Sequence, residues 1–226
     1  SNADKTLRLA YDLDPKGRFL AWRAYLRTLE LGELEFRDRQ SVIDNGIELA
    51  RLARQKEPHN SMVLALCAQA EIMLSSRYRS ACDLALRAIE INPLAWSTLG
   101  TAAAFLGDTK RGHSYARRGA KLARGTACSF KLESCAASTG ILLGDFRDAR
   151  HHAERAHAEK PHFAPPLRYL AALYCDKGDY DRAWEYCRSL QMREPDFSFA
   201  RLGEADYPSD SIRSAGLLSA LPDRHI

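Results

Sequence analysis

Apolar residues recur along the chain with the spacing of amphipathic helices, and the pattern is clearest in the stretch that ends at Pro195. Four apolar residues there fall at positions i, i+3, i+4 and i+7, which line one face of a helix: Leu167, Leu170, Ala171 and Tyr174. After a break at Gly178, a second apolar face continues through Ala183, Cys187 and Leu190. The pattern predicts a helical hairpin that begins after Pro161 and ends at Pro195, 34 residues later.

A single hairpin of this kind cannot cover its own apolar stripe, so it must stack on neighbours. Four similar hairpins precede it, and the predicted units span residues 15–58, 60–93, 94–124, 127–161 and 162–195. The pattern therefore predicts an all-α solenoid of about five antiparallel helix pairs.

Residues 1–14 are predicted to form a lead-in rather than a repeat. Residues 1–3 are similar to the remnant of a cleaved expression tag, and loose order is expected after them, apart from a short apolar turn over residues 7–13. Asp14 and Pro15 favour the start of the first long helix, because aspartate can cap a helix and proline suits its first position. The buried face of that helix is expected to carry Phe19, Trp22 and Leu26.

Residues 196–226 follow the last repeat and are predicted to close the solenoid. The stretch as far as Pro208 is expected to be a loop, and Ser209 or Asp210 to cap a final helix. That helix would carry three apolar residues: Ile212, Leu217 and Leu218. Because a solenoid needs a terminal element over its last apolar face, we expect this helix to serve as the cap.

The hairpin pattern resembles the tetratricopeptide repeat, whose signature W-x2-L-G-x2-Y, then A-x3-F, then P, recurs every 34 residues. In the last unit, Leu167 takes the tryptophan place, and Cys187 replaces the usual aromatic residue. In the third unit, Trp96, Leu99 and Gly100 match the signature outright. The resemblance implies a right-handed superhelix whose first helices line a concave groove that binds peptides.

The repeat phase of this family assigns eleven residues of the first helices to the groove. They are Leu66, Ala70, Met73, Ser97, Thr101, Lys131, Ser134, Ser138, Arg168, Ala172 and Cys175. A groove that is apolar at one end and rich in hydroxyls at the other suits a mixed helix or strand, or is filled by the N-terminal segment. Arg168 and Lys131 suit a peptide carboxylate; the alternative is that Arg168 pairs with Asp176 or another nearby acid.

The second helices of the third and fourth units are basic, and the resemblance places them on the convex surface. The candidate residues of this convex face are Arg117, Arg118, Lys121 and Arg124. They suit nucleic acid or an acidic partner, or else form an ordinary charged outer face. Because no aromatic platform for bases is evident beside them, nucleic acid is disfavoured.

Composition and motifs point away from membranes, metals and catalysis. The net charge is +4, and no apolar run is long enough to cross a membrane. Six cysteines without a C-x-x-C pair favour reduced packing thiols and a cytoplasmic location. Of the histidines, His151, His152, His157 and His162 crowd one region, but cations surround them and a solvated polar face is favoured over a metal site. Common catalytic motifs are absent, so we expect neither an enzyme nor a cofactor.

Two short strings resemble the beginning and the end of the repeat region of certain bacterial regulators, namely class III adenylate or guanylate cyclases and winged-helix transcriptional activators. The first comprises residues 10–13 with Gly17 and Arg18; the second comprises residues 206–208, 212–213 and 215–218. The resemblance implies a non-catalytic interaction or sensing module that regulates a catalytic or DNA-binding domain of the same chain. The alternatives are a free-standing adaptor for a protein or peptide and, less favoured, a nucleic-acid binder.

Overall fold

The chain is all-helical in the part that the computed structural model describes, residues 2–31, 39–89 and 93–218. The helices are α1 Asn2–Leu13, α2 Gly17–Glu30, α3 Arg39–Lys56, α4 Ser61–Ser75, α5 Tyr78–Ala88, α6 Pro93–Phe105, α7 Thr109–Leu122, α8 Ser129–Leu143, α9 Phe146–Glu159, α10 Ala164–Asp176, α11 Tyr180–Gln191 and α12 Asp210–Ser214, with a 3₁₀ helix at Phe199–Gly203. None of the described residues forms a strand, and the predicted all-α fold is confirmed.

Five of the contacts between consecutive helices are the predicted hairpins: α2 with α3, α4 with α5, α6 with α7, α8 with α9, and α10 with α11. The chain divides into two compact units, Ser1–Ala123 and Arg124–Ile226. In the first unit, α4 is central, because it contacts α2, α3, α5 and α6. In the second, α10 contacts α8, α9 and α11, and α12 contacts α8.

The Gly-Asp dipeptides make three of the hairpin turns. Gly107, Gly144 and Gly178 have φ angles of 99°, 83° and 78°, in the left-handed region that glycine adopts without strain. Each following aspartate is the N-cap of the second helix, and its carboxylate accepts a hydrogen bond from the backbone N–H three residues later. The sequence therefore ends one helix and starts the next with only two or three residues between them.

Helices α6 and α7 approach closely through two glycines. A Cβ atom added to Gly100 would lie 2.5 Å from the carbonyl oxygen of Gly112. A Cβ atom added to Gly112 would lie 2.6 Å from the carbonyl oxygen of Gly100. Backbone therefore meets backbone at this crossing, where no larger residue fits.

The buried face of α2 differs from the predicted one. Phe19 and Leu26 are only partly buried and Trp22 is exposed, whereas the buried residues are Gly17, Leu20, Ala21, Ala24, Tyr25 and Thr28. The reason is close packing against α3, since a Cβ at Gly17 would lie 2.6 Å from the carbonyl oxygen of Ala53. Small residues allow this close approach, and Tyr25 is the aromatic side chain of α2 that is buried.

The expectation of loose order before Asp14 is wrong, because residues 2–13 form α1. The Asp4 carboxylate accepts from the Arg23 Nε at 3.0 Å and lies 2.7 Å from an Arg27 terminal nitrogen. Tyr11 packs against the apolar core of the first unit. Ion pairs with α2 and the contact of Tyr11 thus hold α1, although none of its described side chains is fully buried.

The C-terminal cap also departs from the prediction. The expected loop before Pro208 contains the 3₁₀ helix and buries Phe197, Leu202 and Tyr207. Helix α12 ends at Ser214, so Leu217 and Leu218 follow it. Ser209 occupies the N-cap position of α12, but its side chain makes no capping hydrogen bond, because its hydroxyl donates to the carbonyl oxygen of Leu202 at 2.7 Å.

Candidate functional site

In the first unit, the predicted groove residues mostly face the interior. Leu66, Ala70 and Ser97 are buried, Thr101 is half-buried, and Met73 remains 45% exposed. Leu66 and Ala70 belong to the apolar core of this unit. The Thr101 hydroxyl donates to the Ser97 carbonyl oxygen at 3.0 Å, a local bond within α6. Of these five residues, Met73 has an exposed side chain. That the five residues bind a peptide stays a prediction.

In the second unit, all six predicted groove residues are buried: Lys131, Ser134, Ser138, Arg168, Ala172 and Cys175. They lie on α8 and α10, where residues 196–218, hereafter the C-terminal segment, pack against the first helices of the repeats. Five apolar side chains of the segment share one cluster with Ile141 of α8 and Leu173 of α10; they are Phe197, Leu202, Tyr207, Ile212 and Leu217. The chain's own C-terminal segment thus occupies this face.

Arg168 is the polar centre of this face and is 4% exposed. Its Nε donates to the Tyr207 hydroxyl at 2.8 Å, and a terminal nitrogen donates to the Glu194 carboxylate at 2.7 Å. Its guanidinium carbon also lies 4.7 Å from the centroid of the Tyr207 ring. The ion-pair alternative for Arg168 therefore describes the structure, with Glu194 rather than Asp176 as the partner.

Tyr207 and Glu194 complete the arrangement and were not among the predicted site residues. Burial raises the pKa of Tyr207, as does its hydrogen bond to Glu194, so the hydroxyl keeps its proton. That hydroxyl donates to the Glu194 carboxylate at 2.6 Å while it accepts from Arg168. The three side chains form a closed triangle of hydrogen bonds. Sequence spacing does not predict this triangle, because its members come from α10, the turn after α11 and the C-terminal segment.

A second polar link joins α8, α10 and α12. Burial raises the pKa of Tyr169 on α10, and Ser138 of α8 and Ser211 of α12, beside its hydroxyl, lower it. Lys131 is also buried, and desolvation lowers its pKa to about 8. Lys131 is therefore not the exposed cation that the sequence placed beside Arg168.

The histidine-rich helix α9 contains one buried histidine. His152 was expected on a solvated face, but it lies against Glu133 of α8 through Nδ1 and 3.3 Å from Asp148 through Nε2. Arg155 is 3.0 Å from the other Glu133 oxygen. Burial would raise the pKa of Glu133, but the hydrogen bond to His152 and the nearby positive charges lower it. Among the described residues, no three histidine, cysteine or acidic side chains are placed to hold a metal ion.

The basic residues Arg117, Arg118 and Lys121 are exposed on α7, and Arg124 is exposed at the start of the second unit. Contrary to the sequence-based expectation, aromatic rings do accompany this charge. The Arg118 guanidinium lies 4.0 Å from the centroid of the Trp96 ring, and that ring is 5.4 Å from Tyr115. We define the α7 surface as Trp96, Lys110, Arg111, Tyr115, Arg117, Arg118 and Lys121.

The cysteines are free thiols: Cys67, Cys82, Cys128, Cys135, Cys175 and Cys187. Burial raises the pKa of both Cys67 and Cys187 to about 12, so these two remain protonated at neutral pH. They pack as small apolar side chains. No helix among the described residues has the length and apolar character needed to cross a membrane.

Comparison with known proteins agrees with the repeat architecture. Residues 141–203 match the family described as tetratricopeptide repeat. This match spans the end of α8 through the 3₁₀ helix and includes the hairpin with the clearest sequence pattern. No curated protein sequence matches the chain.

Several solved structures have a similar fold. PilW, a widely conserved type IV pilus biogenesis factor, is 16% identical with a TM-score of 0.57, covering 86% of this chain and 88% of its own. PilF of Pseudomonas aeruginosa is 18% identical with a TM-score of 0.56, covering 87% of this chain and 86% of its own. A thermophilic tetratricopeptide repeat protein of Thermus thermophilus is 18% identical with a TM-score of 0.54, covering 86% of this chain and 98% of its own. At these identities the likeness concerns the fold.

Proposed function

We propose that the chain is a non-catalytic module that binds protein or peptide partners. The observation that carries this proposal is the occupied face of α8 and α10. That face holds a polypeptide segment through an apolar strip that includes Ile141 and Leu173 and through the buried guanidinium of Arg168. It therefore has the chemistry to bind a segment that offers an aromatic hydroxyl beside apolar side chains, while Glu194 of the last repeat supplies the carboxylate that balances Arg168.

A partner of that chemistry would compete with the C-terminal segment for the face. Competition is favoured at this place because the segment has little regular structure of its own, with one 3₁₀ helix and the five-residue α12. Its attachment depends on side-chain contacts rather than on a long helix, and such elements open more readily than packed helical hairpins.

We propose further that the module regulates a bacterial signalling or transcription protein in the cytoplasm. The support is the resemblance of residues 10–13 and 206–218 to the ends of the repeat region in such regulators. A catalytic or DNA-binding domain of the same chain is the preferred partner, and a free-standing adaptor is the alternative. A non-catalytic role is supported by the fold, which generally serves as a scaffold, and by the internal ion pairs that engage Glu133 and Arg168.

The test is to immobilise the protein, capture its partner from a bacterial cytoplasmic extract, and identify that partner by mass spectrometry. Its affinity is then measured for Arg168→Ala, Arg118→Ala and Arg147→Ala, the last being an exposed control on α9. Weaker binding confined to Arg168→Ala supports the α8 and α10 face, provided that circular dichroism shows the variant to be folded. Weaker binding confined to Arg118→Ala moves the site to α7. Recovery of nucleic acid without any protein would contradict the proposal.

A further inference from the structure

The α7 surface carries a positive charge that α7 itself does not balance. Between Thr109 and Leu122 the helix has five cationic side chains and no aspartate or glutamate: Lys110, Arg111, Arg117, Arg118 and Lys121. All five are exposed. Their spacing places them within a sector of about 120° along the helix, opposite the buried glycine and alanine face. The cations therefore form a stripe and do not surround the helix.

Aromatic rings hold two of the arginines in place. Arg118 lies over Trp96 at 4.0 Å, a close stacking distance for a guanidinium. Arg111 lies 5.9 Å from the Tyr115 ring and donates to the Tyr115 hydroxyl at 3.2 Å. A guanidinium that is already oriented loses less conformational freedom when it binds a planar anion. The two arginines are therefore preorganised for a ligand.

Carboxylates of the described residues neutralise only part of the cationic stripe. Arg111 has a partner in Asp108, at 3.4 Å. Within residues 2–31, 39–89 and 93–218, no carboxylate forms an ion pair with Arg118 or Lys121. These two cations lie three residues apart, so they are neighbours on one side of the helix. They provide the charge that an external anion would neutralise.

We infer that the α7 surface is a docking site for an acidic segment of a partner protein. Guanidinium groups bind carboxylates in a bidentate manner, and the stripe from Lys110 to Lys121 is about 16 Å long. An extended polypeptide covers that length with about five residues, so a segment with several aspartate or glutamate side chains matches the charge. The inference rests on the proposed function in that the partner is a polypeptide.

The arrangement of the rings favours polypeptide over nucleic acid. Single-stranded nucleic acid is bound by stacking bases on free aromatic faces. Here Arg118 covers a face of Trp96, and Tyr115 lies beside that ring with an interplanar angle of 54°. A base would have to displace an arginine, whereas a carboxylate binds the guanidinium where it already lies.

The test uses a fluorescein-labelled peptide of alternating glutamate and serine, with a glutamine-serine peptide and a short oligothymidine as comparisons. Fluorescence anisotropy should show binding of the glutamate peptide that weakens as salt rises. We expect Arg118→Glu or Lys121→Glu to weaken it by about tenfold or more, because each reverses a contacting charge. Trp96→Leu should weaken it by a smaller factor, since the cations remain but Arg118 loses its support.

Arg147→Glu on α9 is the matched control, because it makes the same charge change at another exposed position. An equal loss in this variant would show that net charge alone drives binding and would overturn the inference. So would undetectable binding of the glutamate peptide, or tighter binding of oligothymidine. If Arg118→Glu retains the captured native partner, the proposed function stands and only the inference of a docking site on α7 fails.

Discussion

Arg168 and Tyr207 lie 39 residues apart in the chain, yet the Arg168 Nε donates to the Tyr207 hydroxyl at 2.8 Å and the guanidinium lies over the Tyr207 ring. This pair joins the last repeat to the C-terminal segment. Glu194 accepts a hydrogen bond from each of the two side chains, so the three polar groups satisfy one another within the junction. Stability of the second unit and attachment of the segment should therefore depend on Arg168.

Arg168→Ala should lower the free energy of unfolding by about 1.5–3 kcal/mol, because it removes hydrogen bonds to the Glu194 carboxylate and the buried Tyr207 hydroxyl. Chemical denaturation measures the loss, and limited proteolysis should show earlier cleavage within the C-terminal segment. Arg193→Ala, at an exposed neighbouring position, serves as the control and should resemble the parent. Equal stability of the two variants would contradict the role of the pair.

Ala183→Trp should destabilise the protein by about 1–3 kcal/mol through overpacking. Ala183 is fully buried in a cluster with Ala153 of α9 and Leu170 of α10, where a large ring has no space. Thermal melting followed by circular dichroism measures the effect. Glu185→Trp places the same ring at an exposed position of α11 and should melt close to the parent. A parent-like melt for Ala183→Trp would mean that this helix contact is looser than described.

The Glu133 network predicts a loss of stability in acid. Because the folded state holds the pKa of Glu133 below its ordinary value of 4.5, the carboxylate stabilises the fold above that pH. The contribution disappears as the pH falls through the lowered pKa, when the carboxylate is protonated. Glu133→Gln should therefore show a shallower loss of unfolding free energy than the parent between about pH 5 and pH 3.

Denaturant titrations at several pH values measure those slopes. Glu185→Gln is the control, since this exposed carboxylate lies on α11 and away from His152. Its slope should follow that of the parent. If Glu133→Gln also follows the parent, the buried carboxylate does not control acid sensitivity.

The rate at which each cysteine reacts with a thiol reagent should fall as its burial increases. Cys128 is exposed and should react first with a chromogenic disulfide reagent at neutral pH. Cys67 and Cys187, with pKa values of about 12, should react only after unfolding. Cys128→Ser should remove the fast phase, and mass spectrometry of labelled peptides identifies the remaining sites. Rapid labelling of Cys67 in the native protein would contradict its buried position.

The repeated hairpins could be predicted from the sequence because the residues that specify them are close together in the chain. Gly107-Asp108 and the two similar turns specify where one helix ends and the next begins, and apolar spacing specifies the type of element. The face of α2 was misassigned because close backbone approach at Gly17 favours the small residues over Trp22. Order in α1 was missed because it depends on ion pairs from Asp4 to another helix.

The candidate site was harder to predict because it depends on contacts between distant parts of the chain. Repeat phase placed Arg168 on the first helix of the last hairpin, but it could not show that residues 196–218 fold back over this helix. Likewise, Arg118 was identified as an exposed cation, whereas its contact with Trp96 arises from the packing of α6 on α7. The spacing of residues along the chain therefore predicts neither the Arg168–Tyr207 pair nor the Arg118–Trp96 pair.

The glycine contact between α6 and α7 connects the interior of the first unit with its exterior. Any side chain larger than hydrogen at Gly100 or Gly112 would push the two helix backbones apart, because the available distances are 2.5 and 2.6 Å. That movement would also separate Arg118 on α7 from Trp96 on α6. A substitution at either buried glycine should therefore alter the α7 surface without contacting a partner directly. Among homologous sequences, substitutions at the two glycines should correlate with substitutions at Trp96 and Arg118.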